Sequence, residues 1–315
     1  VTGRKWPEIE SLLKIMNINY EFVCHQGDLT LKIYEILKNG LTDAQTVIAG
    51  IGGDGTHCAI VNGMMKFKEE NPDKQIPSYA IVPLGTANDI AKSFNIGSAK
   101  KISQAVMRRI LLGALYGADY SCDLGKVAGK YFLDAFTVGV DAHILAGRDR
   151  DKNAIARNPV LNTFLKGYSI YVLNVIKSFS KCTNLNGTIE VDGSQIYSGK
   201  FYNIVINNTR IYAGEFDFTD SAIANDGLLD VLLFTGRRDY LIRYMLGNRH
   251  IHHKIRALSH KNTKFVQHKK GKIIKIKIEE PIKWQIDGES AGVSDTFTIE
   301  TFPSAITLKI PVEPA

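Results

Sequence analysis

Apolar residues recur at helical spacing near the start of the chain (Trp6, Ile9, Leu12, Leu13, Met16), followed by a short strand expected over Tyr20–Cys24. Ile33, Ile36 and Leu37 predict a second helix that ends at Asn39-Gly40. Thr46–Gly50 is a short apolar run suited to a buried parallel strand. A helix over Thr56–Glu70 should stop at Asn71-Pro72, and a strand over Ser78–Val82 follows. A short helix near Asn88–Phe94 and a longer one over Lys100–Leu112 continue the alternation. This order predicts a parallel sheet with helices on both faces.

After about Ala118 the texture changes. Lys126–Val138, Gly187–Tyr197, Phe201–Ile206, Leu228–Phe234, Lys272–Ile278, Phe297–Thr301 and Ile306–Ile310 are short, β-branched and aromatic, with Gly-Lys, Asn-Gly and Asp-Gly turns among them. That is the pattern of hairpins in a sandwich or barrel, interrupted by one helical insertion over Leu161–Phe179. Two domains are expected, residues 1–118 and 119–315, with a cleft between them.

Composition narrows the class. With 44% hydrophobic and 23% charged residues the chain can build a core, which excludes disorder and collagen-like repeats. Cys24, Cys58, Cys122 and Cys182 have no close spacing, so neither a zinc site nor a disulfide framework is suggested and a reducing cytoplasm is expected. No apolar run is long enough to span a bilayer, and the start at Val1 shows no signal-peptide pattern. The net charge of +7 is uneven: Tyr240–Ile278 carries eleven Lys or Arg, five of the eight histidines and no acid. Such a surface either attracts something anionic or is simply a solvated face.

The sharpest motif is Ile51-Gly52-Gly53-Asp54-Gly55-Thr56, directly after a strand and before a helix. Glycines let the backbone approach a bulky ligand, and the start of the helix favours phosphate. Asp54 in an anion site makes sense if a cation or a ribose hydroxyl is also present. Neither the P-loop nor the dinucleotide fingerprint is met, and the plain alternative is a tight turn with Asp54 solvated. Val82-Pro83-Leu84-Gly85-Thr86-Ala87-Asn88-Asp89 repeats the geometry. Ligands bind beyond the carboxyl ends of parallel strands, so the two loops could lie side by side, although helix capping by Thr86 or Asn88 also explains the second. Asn225–Asp230 reads as a turn or as a hard-cation loop built on Asp226 and backbone carbonyls. Ile286-Asp287-Gly288-Glu289 reads as a hairpin turn carrying carboxylates. His250, His252 and His253 read as exposed side chains.

Together these loops, in this order and spacing, resemble the diacylglycerol kinase catalytic family, in particular the soluble bacterial lipid kinases related to sphingosine kinases. Gly52–Thr56 is shared more widely, with NAD kinases and phosphofructokinases, whereas Pro83–Asp89, Asn225–Asp230 and Asp287–Glu289 are narrower. Phe132–Ala142 and Asn207–Glu215 look like two further family segments. The resemblance implies a Rossmann-like, NAD kinase-like α/β domain followed by a β-sandwich domain, with the active site in the interdomain cleft.

It also implies transfer of the ATP γ-phosphate to a lipid hydroxyl, most readily diacylglycerol giving phosphatidic acid. By resemblance, Gly52, Gly53, Asp54, Gly55, Thr56, Gly85, Thr86 and Asn88 would hold ATP. Asp54, Asp89 and Asp123 would organise catalytic Mg²⁺ through water, and Glu289 would be the general base. Asp226 with the carbonyls of Ile223 and Leu228 would hold a structural Mg²⁺. A cytoplasmic enzyme touching an anionic membrane peripherally through the basic stretch is expected, with a homodimer allowed and no nucleic acid partner.

Three positions depart from the family. Only Val1-Thr2-Gly3 answers to its usual first phosphate loop, Cys58 stands where it usually has Asn, and Val23-Cys24-His25 replaces a frequent threonine. An NAD kinase-like enzyme acting on a soluble substrate, or an inactive nucleotide- or membrane-binding regulator, are the other readings.

Overall fold

The computed structural model describes residues 2–41, 43, 45–85, 87–97, 103–145, 147, 184–213, 216–217, 219, 221–246 and 266–312. The chain opens with α1 (Thr2–Ile15) and α2 (Leu29–Lys38), then β1 (Val47–Gly52), α3 (Asp54–Glu70), β2 (Ser78–Pro83), α4 (Asp89–Ser93) and α5 (Gln104–Tyr116). β1 and β2 pair in parallel from Val47↔Ser78 to Gly52↔Pro83. From Tyr79 to Pro83 every residue of β2 is buried, as a strand covered on both faces must be. The helices and strands share one core that includes Ile9, Leu37, Val61, Phe67, Val82 and Met107.

The strand expected over Tyr20–Cys24 does not form: the segment is irregular. Phe22 stacks on Trp6 of α1 at 3.6 Å between ring centroids, and the Tyr20 hydroxyl donates to Glu10 at 3.0 Å. These contacts fix the segment on a helix rather than on a sheet edge, and β-branched or aromatic residues make a strand only where a partner strand exists. The last helix of this half begins at Gln104, capped by Ser103, and runs to Tyr116, later than Lys100–Leu112.

The β-rich half comprises β3 (Ala118–Val127), β4 (Lys130–Phe132), β5 (Ala135–Gly139), β6 (Leu185–Val191), β7 (Ser194–Phe201), β8 (Asn203–Asn207), β9 (Ile211–Tyr212), β10 (Phe216–Asp217), β11 (Leu229–Phe234), α6 (Arg237–Leu246), β12 (Val266–Gly271), β13 (Ile273–Ile286) and β14 (Glu289–Ile310). The path β1-β2-β14-β13-β5-β8-β11-β12 forms one mixed sheet, extended by the β3–β4 and β6–β7 hairpins. β13 is the corner: Ile274–Ile278 pair with β6, Trp284–Ile286 pair with β5, and a register shift separates Lys277 from Ile282. The sheet therefore folds over a second core in which Ile274, Ile276 and Ile189 meet Ile204, Ile206, Val231 and Leu233. Alternate residues of the same strands, Val205, Leu232 and Phe234, enter a third core with Tyr240 of α6. The helical insertion expected at Leu161–Phe179 and the cluster His250, His252 and His253 lie outside the described residues.

Candidate active site

The glycine loops meet backbone to backbone. A Cβ added at Gly53 would stand 3.1 Å from the Gly85 Cα, and one at Gly85 would collide with Gly53 and with Asn88 Oδ1. Leu84 N donates to Gly52 O at 2.7 Å, which carries the β1–β2 pairing into the loops. Asn88 adopts a left-handed conformation (φ 53°), and its side chain closes the second loop by pairing with Gly85 N and O, both at 2.9 Å. Thr56 packs back over Gly52, and Thr86 lies outside the described residues.

Helices in this half differ at their starts. Asp28 caps α2 and Ser103 caps α5 through their own side chains. Neither Gly53 at α3 nor Asn88 at α4 makes such a bond, so the two helices that open the loops keep their N-terminal N–H groups for other partners. One partner is Asp54, whose Oδ2 accepts from Asn88 N at 2.8 Å. Burial raises the Asp54 pKa, and the backbone N–H groups of Asn88, Ile90, Asp54 and Asp89 offset part of that rise. Asp54 Oδ1 is buried with no hydrogen-bond partner among the described residues.

The β13–β14 turn brings more carboxylates to this place. Asp287 and Gly288 both have positive φ (46° and 74°), the conformation of a tight hairpin. Asp287 is buried and accepts from the N–H groups of Leu133 (2.9 Å), Asp134 (2.8 Å) and Ala135 (3.1 Å). Burial still pushes its pKa up to about 6, because the lost hydration outweighs three backbone donors. Glu289 then lies against α3: a Cβ at Gly55 would stand 2.8 Å from Glu289 Oε1.

Asp134 completes the group. It is buried, takes a hydrogen bond from the Thr209 hydroxyl, and its pKa rises well above the usual range through burial and then through the charges of Asp89 and Asp287. Sequence reading missed this residue, although a lone acid inside the apolar run Tyr131–Phe136 is an available signal. Asp54, Asp89, Asp134, Asp287 and Glu289 thus converge from both halves of the chain.

One family departure and its neighbour become structural. The Cys58 thiol sits 3.7 Å from Tyr131 O, and burial, then the neighbouring Asp287, drives its pKa well up, so it is a neutral packing group. His57 Nδ1 pairs with the Tyr79 hydroxyl at 2.5 Å, and burial lowers its pKa to about 4, so it ties α3 to β2 uncharged. Cys24, Cys58 and Cys122 are free thiols.

Asp123 is placed elsewhere. Its oxygens accept from Gly227 N and Ser304 N, each at 2.7 Å, so it holds the Asn225–Asp230 loop against β14. Asn208 links that region to the cluster by donating to both Asp123 O and Leu133 O at 2.8 Å. In the loop, Asp226 Oδ1 accepts Leu228 N at 3.0 Å, Oδ2 pairs with Lys270 at 2.8 Å, and the Ile223 carbonyl accepts Asp226 N at 3.4 Å. These partners do not fit a Mg²⁺ ion held by Ile223, Asp226 and Leu228. No three His, Cys, Asp or Glu side chains among the described residues converge as a metal cage. At the cleft, a Mg²⁺ ion fits Asp54 and Asp89 if nucleotide phosphates complete its shell, the usual way that ion is bound; the orphaned Asp54 Oδ1 suits it. No helix among the described residues is long and apolar enough to cross a membrane.

Comparison with known proteins agrees with this layout. Residues 2–120 match the diacylglycerol kinase catalytic domain, and residues 142–310 match the YegS C-terminal NAD kinase beta sandwich-like domain. The chain belongs to the diacylglycerol kinase catalytic family, a family of kinases. It is 26% identical over 287 residues to a "Probable lipid kinase YegS-like" of Alcanivorax borkumensis, covering 90% of this chain and 84% of that protein. It is 23% identical over 297 residues to a diacylglycerol kinase of Staphylococcus carnosus, covering 92% and 84%. A crystal structure of a diacylglycerol kinase from Bacillus anthracis has the same fold, with a TM-score of 0.63, 20% identity, and 96% and 88% coverage.

Proposed function

We propose that this protein is a lipid kinase that transfers the γ-phosphoryl group of ATP to a lipid hydroxyl, with diacylglycerol as the leading substrate. The observation that carries the reading is the placement of Glu289 against Gly55, beside the two glycine loops that meet at Gly53 and Gly85. Phosphoryl transfer needs positioning and charge neutralisation more than covalent chemistry. The start of α3 favours phosphate oxygens, and Gly53 and Gly85 let the two loops pack closely enough to face one ligand. Glu289 takes the proton of the attacking hydroxyl. Asp54 and Asp89 are the residues that would hold Mg²⁺, which when bound supplies positive charge to the phosphates.

A lipid substrate requires contact with a membrane surface. Lys269 on β12, Lys272 in the turn that follows, and Lys275 and Lys277 on β13 are exposed and support peripheral binding to an anionic leaflet. The test is transfer of labelled γ-phosphate from ATP, with Mg²⁺, to a panel of lipids in mixed micelles, with NAD as a soluble acceptor. Label in a lipid, absent with Glu289→Gln, supports the reading; label in NAD alone overturns it.

A further inference from the structure

The Asn225–Asp230 loop is acidic, yet its charges are already met. Lys270 leaves β12 and points its ammonium into the loop, donating to Asp226 Oδ2 at 2.8 Å and to the Ser221 carbonyl at 2.9 Å. Asp230 Oδ2 lies 3.4 Å from the same nitrogen. An ammonium has three donors, and three oxygens surround this one. The register selects this lysine, because Asp230 pairs directly with Lys270 across β11 and β12. Asp230 is buried and also meets His268 Nε2 at 2.6 Å and the Ser221 hydroxyl at 3.2 Å.

A divalent ion at Asp226 would therefore have to displace or repel an ammonium already seated there. We infer that Lys270 is the built-in cation of this loop, so that the protein holds the loop in place without a structural divalent ion. The consequence reaches the cluster, since the loop is bound by Asp123 through Gly227 N, and Asn208 ties Asp123 to the backbone beside Asp287. Lys270 thus connects to the turn that carries Glu289 through five successive hydrogen bonds, by way of Asp226, the Gly227–Asp123 contact, Asn208 and Leu133. The inference goes beyond the kinase reading and does not depend on it.

The test is thermal unfolding of the full chain, free of nucleotide, in excess EDTA and in excess MgCl₂, with metal content measured after gel filtration. For the unaltered protein, the melting temperature should be the same in both buffers, and no stoichiometric metal should be retained. Lys270→Met should lower it by roughly 3–6 °C in EDTA and recover part of the loss in MgCl₂, because a carboxylate pair is then left for the ion. Lys270→Arg should keep most of the stability without metal. A retained ion in the unaltered protein, with a melting temperature that falls on chelation and an ion lost in Asp226→Asn, overturns the inference. So does an unchanged melting temperature for Lys270→Met in EDTA. If Lys270→Met does not fold, the chelation comparison on the unaltered protein still decides.

Discussion

The carboxylates around Gly53 and those around Gly227 each gather at an Asp-Gly pair beside a strand, yet their surroundings differ. Asp54, Asp134 and Asp287 all hold protons more tightly than an ordinary carboxylate, because burial has removed their water and their like charges oppose one another. Asp123 and Asp226 have every oxygen matched by a backbone N–H or by Lys270. A native protein satisfies its buried polar groups, so a cluster that is buried, crowded and partly unsatisfied marks where a ligand belongs. The satisfied loop braces the fold, and the crowded one is where the proposed chemistry belongs.

Substitutions can break this contrast. The largest effect is expected for Glu289→Gln, which should cut turnover by about two to four orders of magnitude while nucleotide binding, read by calorimetry, is kept. Full activity would remove Glu289 from proton transfer. Asp123→Ala should cost about 1–3 kcal/mol in urea unfolding, since two part-buried N–H donors lose the buried carboxylate that accepts from both. A cost below about 1 kcal/mol would mean that the brace lies elsewhere. Gly85→Ala should weaken nucleotide binding at least about tenfold, because the methyl group forces the two loops apart.

The smallest effect has the opposite sign. Asp134→Asn keeps the shape and the Thr209 contact but removes a carboxyl that folding makes hard to ionise, so it should raise the melting temperature at neutral pH. A carboxyl whose folded pKa is raised contributes stability below its unfolded value and loses it as pH climbs through the folded value. For Asp287 this means about 3 kcal/mol lost as pH rises from about 4 through about 6. The advantage of Asp134→Asn should accordingly grow above the ordinary carboxylate range and vanish below about pH 4. An advantage that is constant with pH would show that packing, not charge, is responsible.

Much of this contrast was visible in the residues before any coordinates. Gly-rich segments between an apolar run and a helical pattern located α3, β1 and β2, and both glycine loops, because turn chemistry is local. The Asp287-Gly288 turn was legible as a hairpin and as a carboxylate carrier, and it is both. What local pattern could not supply was partnership. Tyr20–Cys24 has strand-forming residues, but packing on Trp6 decided its conformation. Eleven basic residues fill Tyr240–Ile278, and it is the β11–β12 register that turns Lys270 toward the acidic loop. Asp134 looked like one polar residue in a strand until Asp89 and Asp287, from distant segments, arrived beside it.

β14 has a consequence for how the molecule is made. Its residues Leu308 and Lys309 lie parallel to Tyr79 and Ala80 of β2, and they also pair with β3 at Asp119 and Tyr120. The nucleotide-side sheet therefore waits for a segment translated long after β2 has left the ribosome. Until then β2 offers an open, apolar edge that any passing strand could template on. A nascent chain stalled ahead of Leu308 should be sensitive to protease and bound by chaperones, and should become resistant only once that last stretch emerges.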